Sequence, residues 1–230
     1  MTEISAHAIN RMCALSMLLS IVALFYSGLV GHFAPHPLHT DPAVQVAQFY
    51  QQHGPRILIF AFVGCISTTL MMPAFCALSV AILDMQPRNR ILAILQVTAG
   101  TIATVGPFLS TMFLAAAVVR PDNSPEVLAV LTDLAIIFIE LSTLPALLQG
   151  LSIAGAILSD RSAEPVLPRW YGWLSLVWGF LAQGGLFAIF YQTGPFSATG
   201  VIGIIVPIVS LVVWMAATAA VLFWMKHPQA

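Results

Sequence analysis

The stretch VLAVLTDLAIIFIELSTLPALLQGLSIAGAIL, Val127 to Leu158, decides the fold. It exceeds the length of about 20 residues that an α-helix needs to cross a bilayer. It carries no Lys, Arg or His, and its only carboxylates are Asp133 and Glu140. Its apolar residues show no alternation of period two, so it reads as a spanning helix and not a barrel strand. An acid at the centre of such a helix costs about 2.5–3.5 kcal/mol on insertion scales. Both acids are therefore expected to face the interior of a helix bundle. Seven positions apart, they share one helix face and stand roughly 10 Å apart along the axis. Counted from Val127, Asp133 lies about 9 Å in and Glu140 about 20 Å in, near the midplane.

The rest of the chain agrees with this solvent. Of 230 residues, 59% are hydrophobic and only 7% charged. Soluble domains carry about 25% charged residues, so lipid must surround most of this chain. The net charge of −1 comes with no basic tract, which excludes a nucleic-acid surface. Apolar stretches recur at roughly 12–33, 57–83, 91–119, 127–158, 170–191 and 201–225. The expected fold is all-α, a polytopic transmembrane bundle of six spans forming one integral membrane domain over residues 1–230. The first stretch has no clean small-residue cleavage site at its end, so it is expected to remain as a span.

Lys and Arg set the orientation. Arg11, Arg88, Arg90, Arg161, Arg169 and Lys226 fall on one side of a six-span chain, and Arg56 and Arg120 on the other. This places both termini in the cytoplasm of a cell-membrane protein. Trp170, Tyr171 and Trp173 then open span five at the cytoplasmic interface, and Trp224 closes span six there.

The first external loop begins with Pro35 and Pro37, which cannot continue a helix. Thr40-Asp41-Pro42 then supplies a cap with proline in the first turn. A short amphipathic helix is expected from Pro42 to His53, with Val46, Ala47 and Tyr50 on one face, lying on the outer surface or lidding the bundle. Across the external loop 120–126, Ser124 reads as an N-cap, Pro125 as the first helical residue and Glu126 as a first-turn acid. Pro73, Pro107, Pro145 and Pro207 each fall inside a span, where proline frees a carbonyl and tends to kink the helix. Cys13, Cys65 and Cys76 form no CxxC pair and read as buried small hydrophobes.

No Lys, Arg or His lies deep in any span, so Glu140 has no cation to pair with. The candidate polar lining is neutral: Gln96, Thr98, Thr101, Thr104, Gln149 and Gln183. Within it the acid is expected to be protonated, paired or solvated by trapped water. A neutral carboxylic acid there suits a proton carrier or a general acid. It equally suits an interhelical hydrogen bond that fixes packing. Asp133, nearer the outer surface, has an ion-pair partner within reach in Arg120. His32, His36, His39 and His53 crowd the external side, but their spacing matches no ligand motif, so no metal and no cofactor are assigned. No nucleophile elbow, zinc-protease motif or phosphate loop occurs.

Several segments resemble an uncharacterised family of bacterial six-span integral membrane proteins with no assigned activity. They are His36-Pro37 through Gln48-Phe49-Tyr50, Val119-Arg120-Pro121 with Pro125-Glu126 and Asp133-Leu134, Pro168-Arg169-Trp170, and Thr193-Gly194-Pro195-Phe196. Together they cover about a third of the chain. Ile136 departs from the aromatic expected after the aspartate. The resemblance implies a six-span topology and no particular chemistry.

Three functions remain open on these residues. The first is a transporter or permeability component with the acids in a polar path. The second is an accessory subunit bound to other membrane subunits. The third is a membrane-embedded enzyme, acting on a hydrophobic, lipid-like small molecule with Glu140 as general acid.

Overall fold

The computed structural model describes residues 6–31, 37, 40–120, 122–191 and 193–225, and every regular element among them is helical. The helices are α1 (Ala6–Gly31), α2 (Ala43–Leu70), α3 (Met72–Leu83), α4 (Arg90–Val119), α5 (Pro125–Leu141), α6 (Thr143–Ser159), α7 (Arg169–Leu181), α8 (Gly184–Phe187) and α9 (Val206–Trp224). A π-helical turn, Val201–Ile205, leads into α9. Five segments are long and apolar enough to cross a membrane: His7–Leu29, Ala43–Leu83, Arg90–Val119, Pro125–Ser159 and Val201–Trp224. Large apolar side chains stand exposed along them, among them Leu19, Phe62, Ile94, Val130 and Val209. Water penalises such a surface and lipid does not.

Helix α1 runs antiparallel to α2, with Ser16 opposite Leu70 and Ser20 opposite Ser67. The Arg11 guanidinium lies 5.2 Å from the centre of the Phe223 ring, which brings the start of α1 and the end of α9 to one end of the bundle. The loops after α3 and α6 meet at this near end. There the Gln86 amide donates to Asp160 Oδ1 at 3.1 Å, and the Arg161 amide donates to the Gln86 carbonyl at 2.6 Å. The starts of α2 and α5 and the end of α4 form the far end.

Each half of the bundle has its own core. In the near half, Met17, Phe75, Leu78, Ile153, Tyr171, Trp214 and Leu222 pack together. In the far half, Val46, Tyr50, Ile57, Leu114, Leu128 and Ala135 form a smaller cluster. Buried hydroxyls and amides tie helices together where they meet. Ser20 and Ser67 join α1 to α2, Tyr50 and Thr132 join α2 to α5, and Tyr171 and Thr218 join α7 to α9. Trp178 stacks on Trp214 with ring centres 4.0 Å apart, and Trp214 Nε1 donates to Ser175 Oγ at 3.1 Å.

Four details differ from the sequence expectations. The segment 42–53 is not a separate surface helix but the first turns of α2, with Pro42 at the cap. The reason is phase: the buried stripe Val46, Ala47, Tyr50, Gly54, Ile57, Ala61 and Gly64 continues past Pro55 without interruption. The expected apolar face of 46, 47 and 50 is correct, and it packs inward.

The second difference is in span five. Its helix ends at Leu181, and at 13 residues α7 rises about 20 Å, short of a 30 Å hydrocarbon core. Only the four residues of α8 follow. Just beyond the break, Gly184 lets the backbone approach closely, since a Cβ there would lie 2.1 Å from the Ile202 carbonyl oxygen. Third, Cys76 is exposed, and Cys13 and Cys65 are only half-buried. Fourth, Thr98 is exposed on α4.

Candidate functional site

Discontinuities gather at one level of the bundle. Helix α2 gives way to α3 at Met71, α5 to α6 at Ser142, and α7 to α8 at Ala182 and Gln183. Measured along the chain from the near end, these points stand about 18–26 Å up, as do Pro107 and Pro207. The spanning prolines account for part of this, since each withholds an N–H from the carbonyl four residues earlier.

Glu140 is the penultimate residue of α5, two positions before the break at Ser142, and is 7% exposed. Among the described residues, none donates a hydrogen bond to its carboxyl. The break itself is tightly held. Thr143 Oγ1 donates to the Glu140 carbonyl at 2.8 Å, and Ser142 Oγ donates to the Ile139 carbonyl at 2.5 Å. Across from it, Gly106 of α4 lies against the Phe138 carbonyl and Ser142, where a Cβ would not fit.

Gln183 is the residue that joins the two breaks. Its Nε2 donates to the Thr143 carbonyl at 2.7 Å and to the Gly179 carbonyl at 2.9 Å. An amide nitrogen has two protons, so both are committed and the direction of the amide is fixed. Its Oε1 is buried and has no hydrogen-bond partner. Gly185 reaches Thr143 on the same side. Thr143 thus accepts from the Gln183 side chain with its carbonyl and donates to the Glu140 carbonyl with its hydroxyl.

The other candidate lining residues lie elsewhere. Gln96 and Gln149 are fully buried and face one another, with Gln149 Nε2 3.4 Å from Gln96 Oε1. Gln96 Nε2 also donates to the Phe75 carbonyl and to Ser79 Oγ, both at 2.6 Å. This amide chain ties α3, α4 and α6 in the near half. Gln149 is nine residues beyond Glu140, about 13 Å along the helix. Thr101 Oγ1 donates to the Val97 carbonyl, and Thr104 Oγ1 to the Thr101 carbonyl, so both hydroxyls are occupied within α4.

Asp133 is half-buried on α5, and Arg120 is exposed at the end of α4. Of the histidines, His53 stacks on Phe49 with ring centres 4.6 Å apart, its Nδ1 3.0 Å from the Phe49 carbonyl. His32, His36 and His39 lie outside the described residues. Among the described residues, no group of three metal-ligating side chains converges.

Sequence reasoning missed Ser110, buried on α4 with its hydroxyl unpartnered, and Asp160, the anchor of the near-end loops. Ser110 follows Gly106 by four residues, which places it on the face that meets α5, a spacing visible in the sequence. The two best-formed hollows lie away from Glu140. One, of about 480 Å³, is at the near end between Gln86, Pro87, Ser159 and Arg161. The other, of about 240 Å³, is a lipid-facing groove on α2 along Phe62, Cys65, Ile66, Thr69 and Leu70.

The described fold is all-helical, with five segments long and apolar enough to cross a membrane. Comparison with protein-family models, with curated proteins and with solved structures finds no match to this chain.

Proposed function

We propose that the protein is a six-span transporter or permeability component of a cell membrane, with both termini cytoplasmic, in which Glu140 stands in a polar path. On this reading α7 and α8 together make the fifth crossing. The observation that carries it is Glu140 itself, buried with no cation or hydrogen-bond donor on its carboxyl among the described residues, close to a helix interruption. A buried acid at mid-membrane is expensive, and broken helices at that depth are how transport proteins expose backbone oxygens to a solute.

No specific observation favours the reading of a membrane-embedded enzyme acting on a lipid-like substrate with Glu140 as general acid. No specific observation favours the accessory-subunit reading. The test is flux in proteoliposomes containing the full chain. Glu140→Gln is expected to reduce proton or solute movement by about tenfold or more, in the range of a lost essential proton-transfer group. Asp133→Asn is expected to have the smaller effect. Unchanged flux in Glu140→Gln protein that is folded and correctly inserted would overturn the proposal.

A further inference from the structure

We propose that the hollow at the near end, beside Gln86 and Arg161, binds the phosphate headgroup of an anionic glycerophospholipid. This site lies apart from Glu140 and does not depend on the transport reading. The hollow has a volume of about 480 Å³ and is lined by Gln86, Pro87, Ser159 and Arg161. Small-molecule sites have volumes of this order.

The loops that build it are pinned through their backbones, which leaves side chains unspent. The Gln86 amide donates to Asp160 Oδ1, and the Gln86 carbonyl accepts from the Arg161 amide. Both residues are exposed, and neither side chain makes a hydrogen bond or ion pair with a described residue. Arg161 thus offers a planar fork of N–H donors with a permanent positive charge, and Gln86 adds the two protons of its amide. Arg88, two positions from Gln86, ties its Nε to the Leu83 carbonyl and brings a second positive charge to the same loop. The acids of these loops do not consume the donors. Asp160 is buried and spent on Gln86 and Ser162. Asp84 and Glu164 are exposed and form no ion pair with Arg161. A charged fork beside neutral donors suits the acceptor oxygens of a phosphodiester.

The surface beside the hollow selects a lipid over a soluble phosphate. Arg90 opens one membrane-length segment and Ser159 closes another, so the hollow stands at the depth of headgroups. Ser159 also ends a stripe of α6 in which Leu148, Leu151 and Gly155 recur at helical spacing, all of them exposed. An acyl chain lying along that stripe brings its phosphate to the hollow. Basic pockets between membrane helices hold anionic headgroups in this way.

The test titrates the purified full chain in detergent with phosphatidylglycerol, phosphatidylcholine or glycerol phosphate and follows the melting temperature. A saturable rise with phosphatidylglycerol is expected for wild type, with none from the other two. Arg161→Gln is expected to weaken the apparent affinity by about tenfold, as loss of a charge-assisted phosphate contact does. Gln86→Ala, which keeps the backbone clip, is expected to weaken it less, and it decides the matter if Arg161→Gln fails to fold. Arg120→Gln, exposed at the far end, is expected to titrate as wild type does. Equal responses to the two lipids overturn the proposal, as does an unchanged titration in both near-end variants or an equal loss in Arg120→Gln. A response to glycerol phosphate that matches the response to phosphatidylglycerol overturns the lipid as ligand.

Discussion

Ser20 and Ser67 hold each other's backbone: Ser20 Oγ donates to the Ser67 carbonyl at 2.8 Å, and Ser67 Oγ donates to the Ser20 carbonyl at 2.9 Å. Their hydroxyl oxygens are 3.2 Å apart, in the fully buried seam between α1 and α2. This reciprocal contact fixes the register of the two helices, and it yields a direct prediction. The double variant Ser20→Cys, Ser67→Cys has side chains close enough for a disulfide. In a background without Cys13, Cys65 and Cys76, oxidation should give an intramolecular cross-link, seen as a mobility shift that a reductant reverses. A pair one position out of register, Ser20 with Thr68, should cross-link poorly.

Tyr171 and Thr218 predict an asymmetry. Their hydroxyls are 2.7 Å apart, and Thr218 Oγ1 also donates to the Trp214 carbonyl. Tyr171→Phe leaves Thr218 with a partner and is expected to destabilise by about 1 kcal/mol. Thr218→Val removes both the contact with the phenol and the bond to the Trp214 carbonyl, leaving Ser175 beside the phenol, and is expected to cost more, about 1–3 kcal/mol. Thermal melting in detergent should rank the two variants in that order.

Glycine contacts separate rigid from yielding neighbours. At Gly184 an added methyl would meet the Ile202 carbonyl at 2.1 Å, and backbone cannot step aside. At Gly155 the nearest atom is Leu92 Cδ1 at 3.5 Å, ordinary contact with a side chain. Gly184→Ala is expected to lose about 1–3 kcal/mol or to fail to insert, as overpacked sites do. Gly155→Ala should be neutral or slightly stabilising, because alanine is the better helix former. Folded yield and melting temperature measured side by side check the contrast.

Asp160 predicts a pH response at the near end. Burial pushes its carboxyl up, but hydrogen bonds from Ser162, Gln86 and Val166 outweigh this and hold it below the usual carboxylate range. A lowered folded value means that the stabilisation is complete above the ordinary aspartate pKa and is lost as pH falls through the folded one. Below about pH 4 the strap between the loops after α3 and α6 should therefore loosen. Wild-type melting temperature should fall in that window more steeply than that of Asp160→Asn. Equal slopes would mean that the carboxylate does not hold the strap.

Much of the helical frame was legible because its signal is coarse. Residues 91–119 and 201–225 are uninterrupted apolar runs, and α4 and the Val201–Trp224 segment follow them within a residue. Where the reading failed, the deciding term was packing against a distant residue. Pro42 through His53 looked like a self-contained helix, and only the stripe through Gly54 and Ile57 shows that it belongs to α2. The Gly184-Gly185 pair resembles the glycine that membrane helices commonly carry. What Gly184 packs against is the Ile202 carbonyl, 18 positions later in the chain.

The candidate site divides in the same way. The burial of Glu140 follows from the cost of an acid in lipid, which the sequence states. The partners of the neutral amides do not follow, since a glutamine is content with any buried acceptor. Gln96 and Gln149 found each other and the Phe75 carbonyl, while Gln183 alone came to the level of the acid.

The two separate cores have a mechanical meaning. The near-half cluster joins α1, α3, α6, α7 and α9 with Ala93 near the start of α4, whereas the far-half cluster rests on α2, α5 and the later turns of α4. Apolar burial supplies most of the cohesion of each. The far half should thus melt first, and an optical-trap pull on its loops should show an early, low-force rip before the main one. Such a molecule is a stiff base carrying a pliant crown, and the seam between them runs at the depth of Glu140.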